Sequence, residues 1–287
     1  MIFAGWFVVT RLSVTRELRF WDLTALRFGV GSLVLCPVLL KGERRISAQQ
    51  WGEGLLYACL WGLPFVLAVA FGLQLTSARR AAAITPALMP LFAGAFAWLF
   101  LREAQGMRRW CGYAAIIAGL VWLLAGGAAT VADTHPLGIL ALVVAAAMWA
   151  IYTLLFRRSA LTPVQSAALI CVWSAALFLP IYLLGDLCRL ALASPAEIAL
   201  QAAYQGVLMS GVAIIAFNRS VALLGPSAAT AIIALIPVAA SLAAVPILGE
   251  QPTMGEAVAI AGVVFGVLLA ARPSRAALAA PPPPSQG

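Results

Sequence analysis

Two prolines, two glutamates and a small group of aromatic, amide and arginine side chains carry what chemistry this sequence offers. Nearly all stand inside or at the edge of long apolar runs. Pro90 and Pro237 each lie thirteen residues before a glutamate, Glu103 and Glu250. A proline inside a helix removes a backbone hydrogen bond and frees a carbonyl, so this pair predicts hinges that line a cavity. Thr85 and Thr230 stand close to them and offer hydroxyls. Glu103 and Glu250 fall at helix ends. There a carboxylate satisfies free N–H groups of the following helix and complements its dipole, a structural role that outweighs proton carriage.

Trp6, Trp149 and Tyr152 belong to the first and sixth apolar runs, Trp61 and Gln74 to the third, and Asn218 to the eighth. A buried amide in hydrocarbon needs a partner, either a substrate or a neighbouring helix. Charges within a span are costly and mark solute pathways. Arg27 stands near the start of its run and is placed to snorkel, while Arg11 is placed to meet a substrate carboxylate or to pair with Glu17; structure is the stronger reading for both. The candidate cavity set is therefore Trp6, Arg11, Trp61, Gln74, Thr85, Pro90, Trp149, Tyr152, Asn218, Thr230 and Pro237.

No catalytic constellation, metal set or nucleotide loop emerges. The single histidine, His135, stands in a loop beside Asp133, and Cys36, Cys59, Cys111, Cys171 and Cys188 lack metal-ligand spacing and read as small buried hydrophobes. The expectation is a protein without cofactor, metal or enzymatic activity.

The elements that must position these residues are membrane spans. Of 287 residues, 63% are hydrophobic and only 10% charged, and the mean hydropathy is +1.01. A soluble core does not hide so much apolar surface, whereas lipid accepts it in helices that close their own hydrogen bonds. The net charge of +8 sits in short clusters between runs, which makes it a topology signal and not a nucleic-acid footprint. Apolar runs are expected at roughly 1–15, 22–40, 51–75, 80–101, 109–127, 136–156, 163–185, 198–222, 227–248 and 254–271. Gly225-Pro226-Ser227 is the expected break between the eighth and ninth. Placing the N-terminus inside puts eleven of the basic residues on the inner side and seven on the outer, so both termini are expected to be cytoplasmic. Arg79 and Arg80 read as interfacial.

At a register of 147 residues the chain matches itself: Ala81–Glu103 lies on Ala228–Glu250, Pro90 on Pro237, Met107 on Met254 and Gly119 on Gly266. A register of 143 brings Trp6 onto Trp149 and Thr10 onto Thr153. Trp149 is preceded by a longer apolar run than Trp6, so about two helical turns are expected to be missing before the first helix. Five spans per half is an odd number, so the second half enters the membrane from the opposite side, the arrangement associated with alternating access. The expected fold is all-α, with ten transmembrane helices in two inverted five-helix repeats. The expected units are a first repeat over 1–127, a linker over 128–135, a second repeat over 136–271 and a Pro/Ala-rich tail over 272–287 without fixed structure. Gly262 and Gly266 share one helix face and predict close packing.

On these residues the chain resembles the EamA family of the drug/metabolite transporter superfamily. The resemblance rests on the two helix pairs TSARRAAAITPALMPLFAGAFAWLFLREAQGMRRWCGYAAIIAGLVWLLAG and NRSVALLGPSAATAIIALIPVAASLAAVPILGEQPTMGEAVAIAGVVFGVLL. Gly5-Trp6-Phe7-Val8-Val9-Thr10-Arg11 and Ala25-Leu26-Arg27-Phe28 are similar to the family's first two helices. Leu248-Gly249-Glu250 matches the family's helix ending, and Leu101-Arg102-Glu103 departs from it at the glycine. The resemblance implies transport, often export, of amino acids or related metabolites across the bacterial inner membrane. The expected partners are a small-molecule substrate and membrane lipids. A membrane enzyme acting on lipid-linked groups, or a non-transporting assembly protein, is the alternative class.

Overall fold

A computed structural model describes residues 2–14, 18–41, 46–102, 105–125, 135–233, 235–248 and 253–271, and every regular element among them is helical. The helices are α1 (Ile2–Val14), α2 (Phe20–Lys41), α3 (Ala48–Trp61), α4 (Leu63–Leu75), α5 (Ala78–Leu101), α6 (Met107–Ala125), α7 (Pro136–Phe156), α8 (Pro163–Leu184), α9 (Pro195–Gln201), α10 (Ile214–Ile233), α11 (Ile236–Leu248) and α12 (Met254–Ala271). Between α9 and α10 the chain winds as a π-helix over Ala202–Ala213. Among the described residues, six stretches are long and apolar enough to cross a membrane: Phe20–Leu40, Ala48–Leu75, Arg80–Phe100, Pro136–Phe156, Pro163–Leu184 and Pro195–Leu223. Ile236–Ile247 and Met254–Ala270 are shorter apolar helices. Large side chains such as Leu33, Leu40, Phe100, Leu184 and Phe265 point outward from these helices, where lipid, and not water, is the solvent they suit.

Local sequence sets the helix starts. Ser47 and Gln50 form a reciprocal capping box on α3, as do Thr162 and Gln165 on α8. Pro136, Pro163 and Pro195 occupy the first turn of their helices, where the missing N–H would have had no partner anyway. His135 is a helix cap: its Nδ1 accepts from the Leu137 N–H at 3.2 Å. Arg102 ends α5 with a left-handed φ of 54°. Glycine adopts that conformation without strain, and the second half carries Gly249 at the matching position in sequence.

Three expectations are corrected. The run over 51–75 is two helices, α3 and α4, broken at Gly62, whose φ and ψ are −99° and −124°. No break occurs at Gly225-Pro226-Ser227; α10 continues to Ile233 and α11 starts at Ile236. Pro237 therefore does not lie deep in a helix but opens one, the position where a proline costs no hydrogen bond. Pro90, by contrast, lies within an uninterrupted α5.

The extensive helix pairings cross between the halves: α6 with α12, α2 with α8, α5 with α7, α2 with the π stretch, α4 with α7, α3 with α8, and α1 with α11. Most have a counterpart on exchanging the halves, as α2 with the π stretch corresponds to α8 with α3. Direction can be read from side chains. Phe3 lies beside Trp61 and Trp6 beside Phe65, so α1 runs parallel to α3 and α4. Trp61 meets Tyr152, Phe65 meets Trp149, and the His135 N–H donates to the Leu75 carbonyl, so α7 runs antiparallel to them. The counterpart helices α1 and α7 thus point in opposite directions.

Glycines let α6 and α12 approach closely. A Cβ on Gly112 would meet the Gly266 carbonyl, and one on Gly266 would meet the Gly112 carbonyl, each at 2.8 Å. Gly119 packs on Val263 in the same seam, while Gly262 faces open space and does not contribute as expected.

Candidate functional site

Where the halves meet, aromatic rings from both form one cluster. Trp61, at the C-terminal end of α3, is 1% exposed. Its ring stacks on Tyr152 at 4.7 Å and on Trp149 at 5.6 Å, both from α7, and meets Phe217 of α10 at 5.1 Å. Phe3 of α1 sits within 6.4 Å of Trp61, Trp149 and Phe217. Trp6 reaches the cluster through Phe65, stacked at 6.3 Å. Offset stacks of this kind add to the burial of large apolar area, and every such contact here between Trp61 and the second half ties one half to the other. Beside the cluster, Phe3, Phe217, Ala213, Ala229, Ile233 and Ile236 are among the residues lining a cleft of about 190 Å³.

Polar groups edge the cluster in two networks. In the first, the Tyr152 hydroxyl donates to Asn218 Oδ1 at 2.8 Å and shares a 3.1 Å bond with Ser166, while Asn218 Nδ2 donates to the Pro163 carbonyl at 3.4 Å. In the second, Gln205 of the π stretch is the hub. It accepts from Trp6 Nε1 at 2.9 Å and donates to Thr10 Oγ1 at 3.0 Å and to Gln201 Oε1 at 3.3 Å. Ser210 Oγ reaches the Gln205 carbonyl at 3.1 Å and the Arg27 carbonyl at 3.2 Å. A π-helix leaves carbonyls available to such side chains and recurs at functional positions. Trp149 Nε1 is buried without a hydrogen-bond partner.

Arg27 does not snorkel. It is 1% exposed, with its guanidinium carbon 5.0 Å from the Trp6 ring and 5.7 Å from the Phe28 ring. Asp22, five positions earlier on α2, is fully buried and accepts three donors: the Arg19 N–H at 2.9 Å, the Arg189 N–H at 2.9 Å and the Tyr182 hydroxyl at 2.5 Å. It clasps the start of α2 to the end of α8.

Of the expected cavity residues, the fold gathers Trp6, Trp61, Trp149, Tyr152 and Asn218. Thr85 is buried but donates to the Leu142 carbonyl of α7 at 3.4 Å, and Pro90 is buried in α5. Gln74 is exposed, away from the cluster. Arg11 lies on α1 and Thr230 on α10, with side chains outside the described set; Glu103 and Glu250 lie outside the described residues. Arg80, expected at an interface, is 4% exposed. Only Cys171 of the five cysteines is buried, and Cys59, Cys111 and Cys188 face outward. Gln205 and Gln201 escaped sequence reasoning, although the argument that singled out Asn218, an amide in an apolar run, applied equally to both.

A family profile described as the EamA-like transporter family matches residues 1–125 and again 136–272. A solved crystal structure aligns with a TM-score of 0.65 at 23% identity, covering 93% of this chain and 96% of that chain, a likeness of fold. No curated protein matches the chain.

Proposed function

The chain belongs to the EamA-like transporter family, and from that premise we propose that it is a secondary transporter exporting amino acids or related small metabolites across the bacterial inner membrane. In this reading ten spans form two inverted five-helix repeats, both termini are cytoplasmic, and the halves rock around a solute site where they meet. The observation that carries it is the aromatic cluster, whose rings come from both halves and are edged by two hydrogen-bonded networks. Opposed directions of α1 and α7 support the inversion. Loosened helices beside the cluster, at Gly62 and over Ala202–Ala213, support a centre able to change shape.

The test is counterflow in proteoliposomes with a panel of labelled amino acids and related metabolites. Wild-type protein should accumulate at least one. Trp61→Ala should abolish that uptake, since truncating a buried aromatic costs about 3–5 kcal/mol and removes the ring that joins the halves. Folded wild-type protein that carries no solute of the panel would sink the reading.

A further inference from the structure

We infer that Arg27 receives the carboxylate of the transported solute, which makes small monocarboxylates, α-amino acids among them, the substrate class. The inference rests on the transport reading above and deepens it. Arg27 lies on α2 near the cluster, faced by Trp6 of α1, by Phe28 of its own helix, by Cys171 of α8 and by Ser210 of the π stretch. None of these is an anion. Ser210 bonds the Arg27 carbonyl and leaves the guanidinium alone. Trp6 and Phe28 attract the cation through their ring faces, but such contacts do not satisfy N–H donors, and Nε and Nη1 are buried without a hydrogen-bond partner.

The described carboxylates nearest in sequence or burial are already committed. Asp22 holds three donors, Glu53 accepts from the Ser159 hydroxyl, and Glu256 accepts from the Thr253 N–H that starts α12. The cluster's other orphan, Trp149 Nε1, is also a donor. Buried N–H groups of Arg27 without a partner call for an acceptor, and a lone cation in a low-dielectric surrounding calls for a single negative charge. A carboxylate supplies both; a dianionic phosphate would leave one charge uncompensated.

Three labelled probes test this in proteoliposomes holding the full chain: L-leucine, 4-methyl-2-oxopentanoate and L-leucine methyl ester. The two acids should be carried and the ester should not. Arg27→Gln should raise the half-saturating concentration of both acids by at least about tenfold. Arg27→Lys should keep the preference for acid over ester with a smaller rise, because a point charge replaces a planar fork. Size-exclusion profiles report whether each variant is folded. Should Arg27→Gln fail to fold, Arg27→Lys decides, and an unchanged half-saturation together with an unchanged acid-to-ester ratio overturns the inference. So does ester uptake equal to that of the acids, or an Arg27→Gln protein saturating as wild type does. Uptake restricted to uncharged solutes from a wider panel would refute the role of Arg27 and leave transport standing, whereas no uptake of any solute by folded wild type would remove the transport reading itself.

Discussion

The third span of each half loosens beside the aromatic cluster, and the two do it differently. In the first half the loosening is a point: α3 stops at Trp61, Gly62 takes an unusual backbone conformation, and α4 resumes at Leu63. The Leu63 N–H, freed by the break, donates to Ser174 of α8 at 3.2 Å. In the second half it is spread over twelve residues of π-helix, with Ser210 and Gln205 attending to the altered ladder. A point break concentrates all its demands on one residue, while a distributed one shares them among side chains. The repeat therefore conserves the place of weakness and not the means, and the two halves are not mechanically equivalent.

That contrast breaks first at Gly62. A Cβ there would overlap Ser174 Oγ and the Ala58 backbone, so Gly62→Ala should destabilise the protein by about 1–3 kcal/mol and abolish counterflow, measured with a thermal-shift series alongside. A variant as active and stable as wild type would show that the first half has no point hinge. Gln205→Leu comes next. It strands Trp6 Nε1 and Thr10 Oγ1, and losing buried partners costs about 1–3 kcal/mol; the rise in half-saturating concentration should be large but activity should persist, because Gln201 and Ser210 remain. Tyr152→Phe takes the hydroxyl from Asn218 and Ser166, both buried, and should cost about 1–3 kcal/mol, read as a fall in melting temperature with counterflow retained. The smallest effect belongs to Gly211→Ala. Nothing lies within 4 Å of a Cβ at that π-stretch position, so the change should stay within about 0.5 kcal/mol. A collapse of activity there would place a point hinge in the second half too and erase the distinction.

The membrane class and the repeat were legible because apolar length and a fixed register depend only on residue type. The rings of Trp6 and Trp149 were legible as well, since their pairing across the repeat marked them, and those of Trp61 and Tyr152 as large aromatics inside apolar runs. The break at Gly62 was not, because one glycine in an apolar run is equally at home in a straight helix; what accommodates it is tertiary, the Ser174 hydroxyl of α8 that accepts from the freed Leu63 N–H. The π stretch has no compositional sign, since Gln201, Gln205 and Ser210 read as ordinary interruptions until their partners on α1 and α2 are known. Arg27 was misjudged as snorkelling because its position in the run says nothing of the rings packed over it. Asp22 went unnoticed, as its three donors come from Arg19, Tyr182 and Arg189, two of them far along the chain.

The seam of Gly112, Gly119 and Gly266 has a mechanical corollary. Where Gly112 and Gly266 bring the two backbones together there is almost no room to slide. Rocking of the kind proposed would leave that seam nearly still, an axle on which both halves turn.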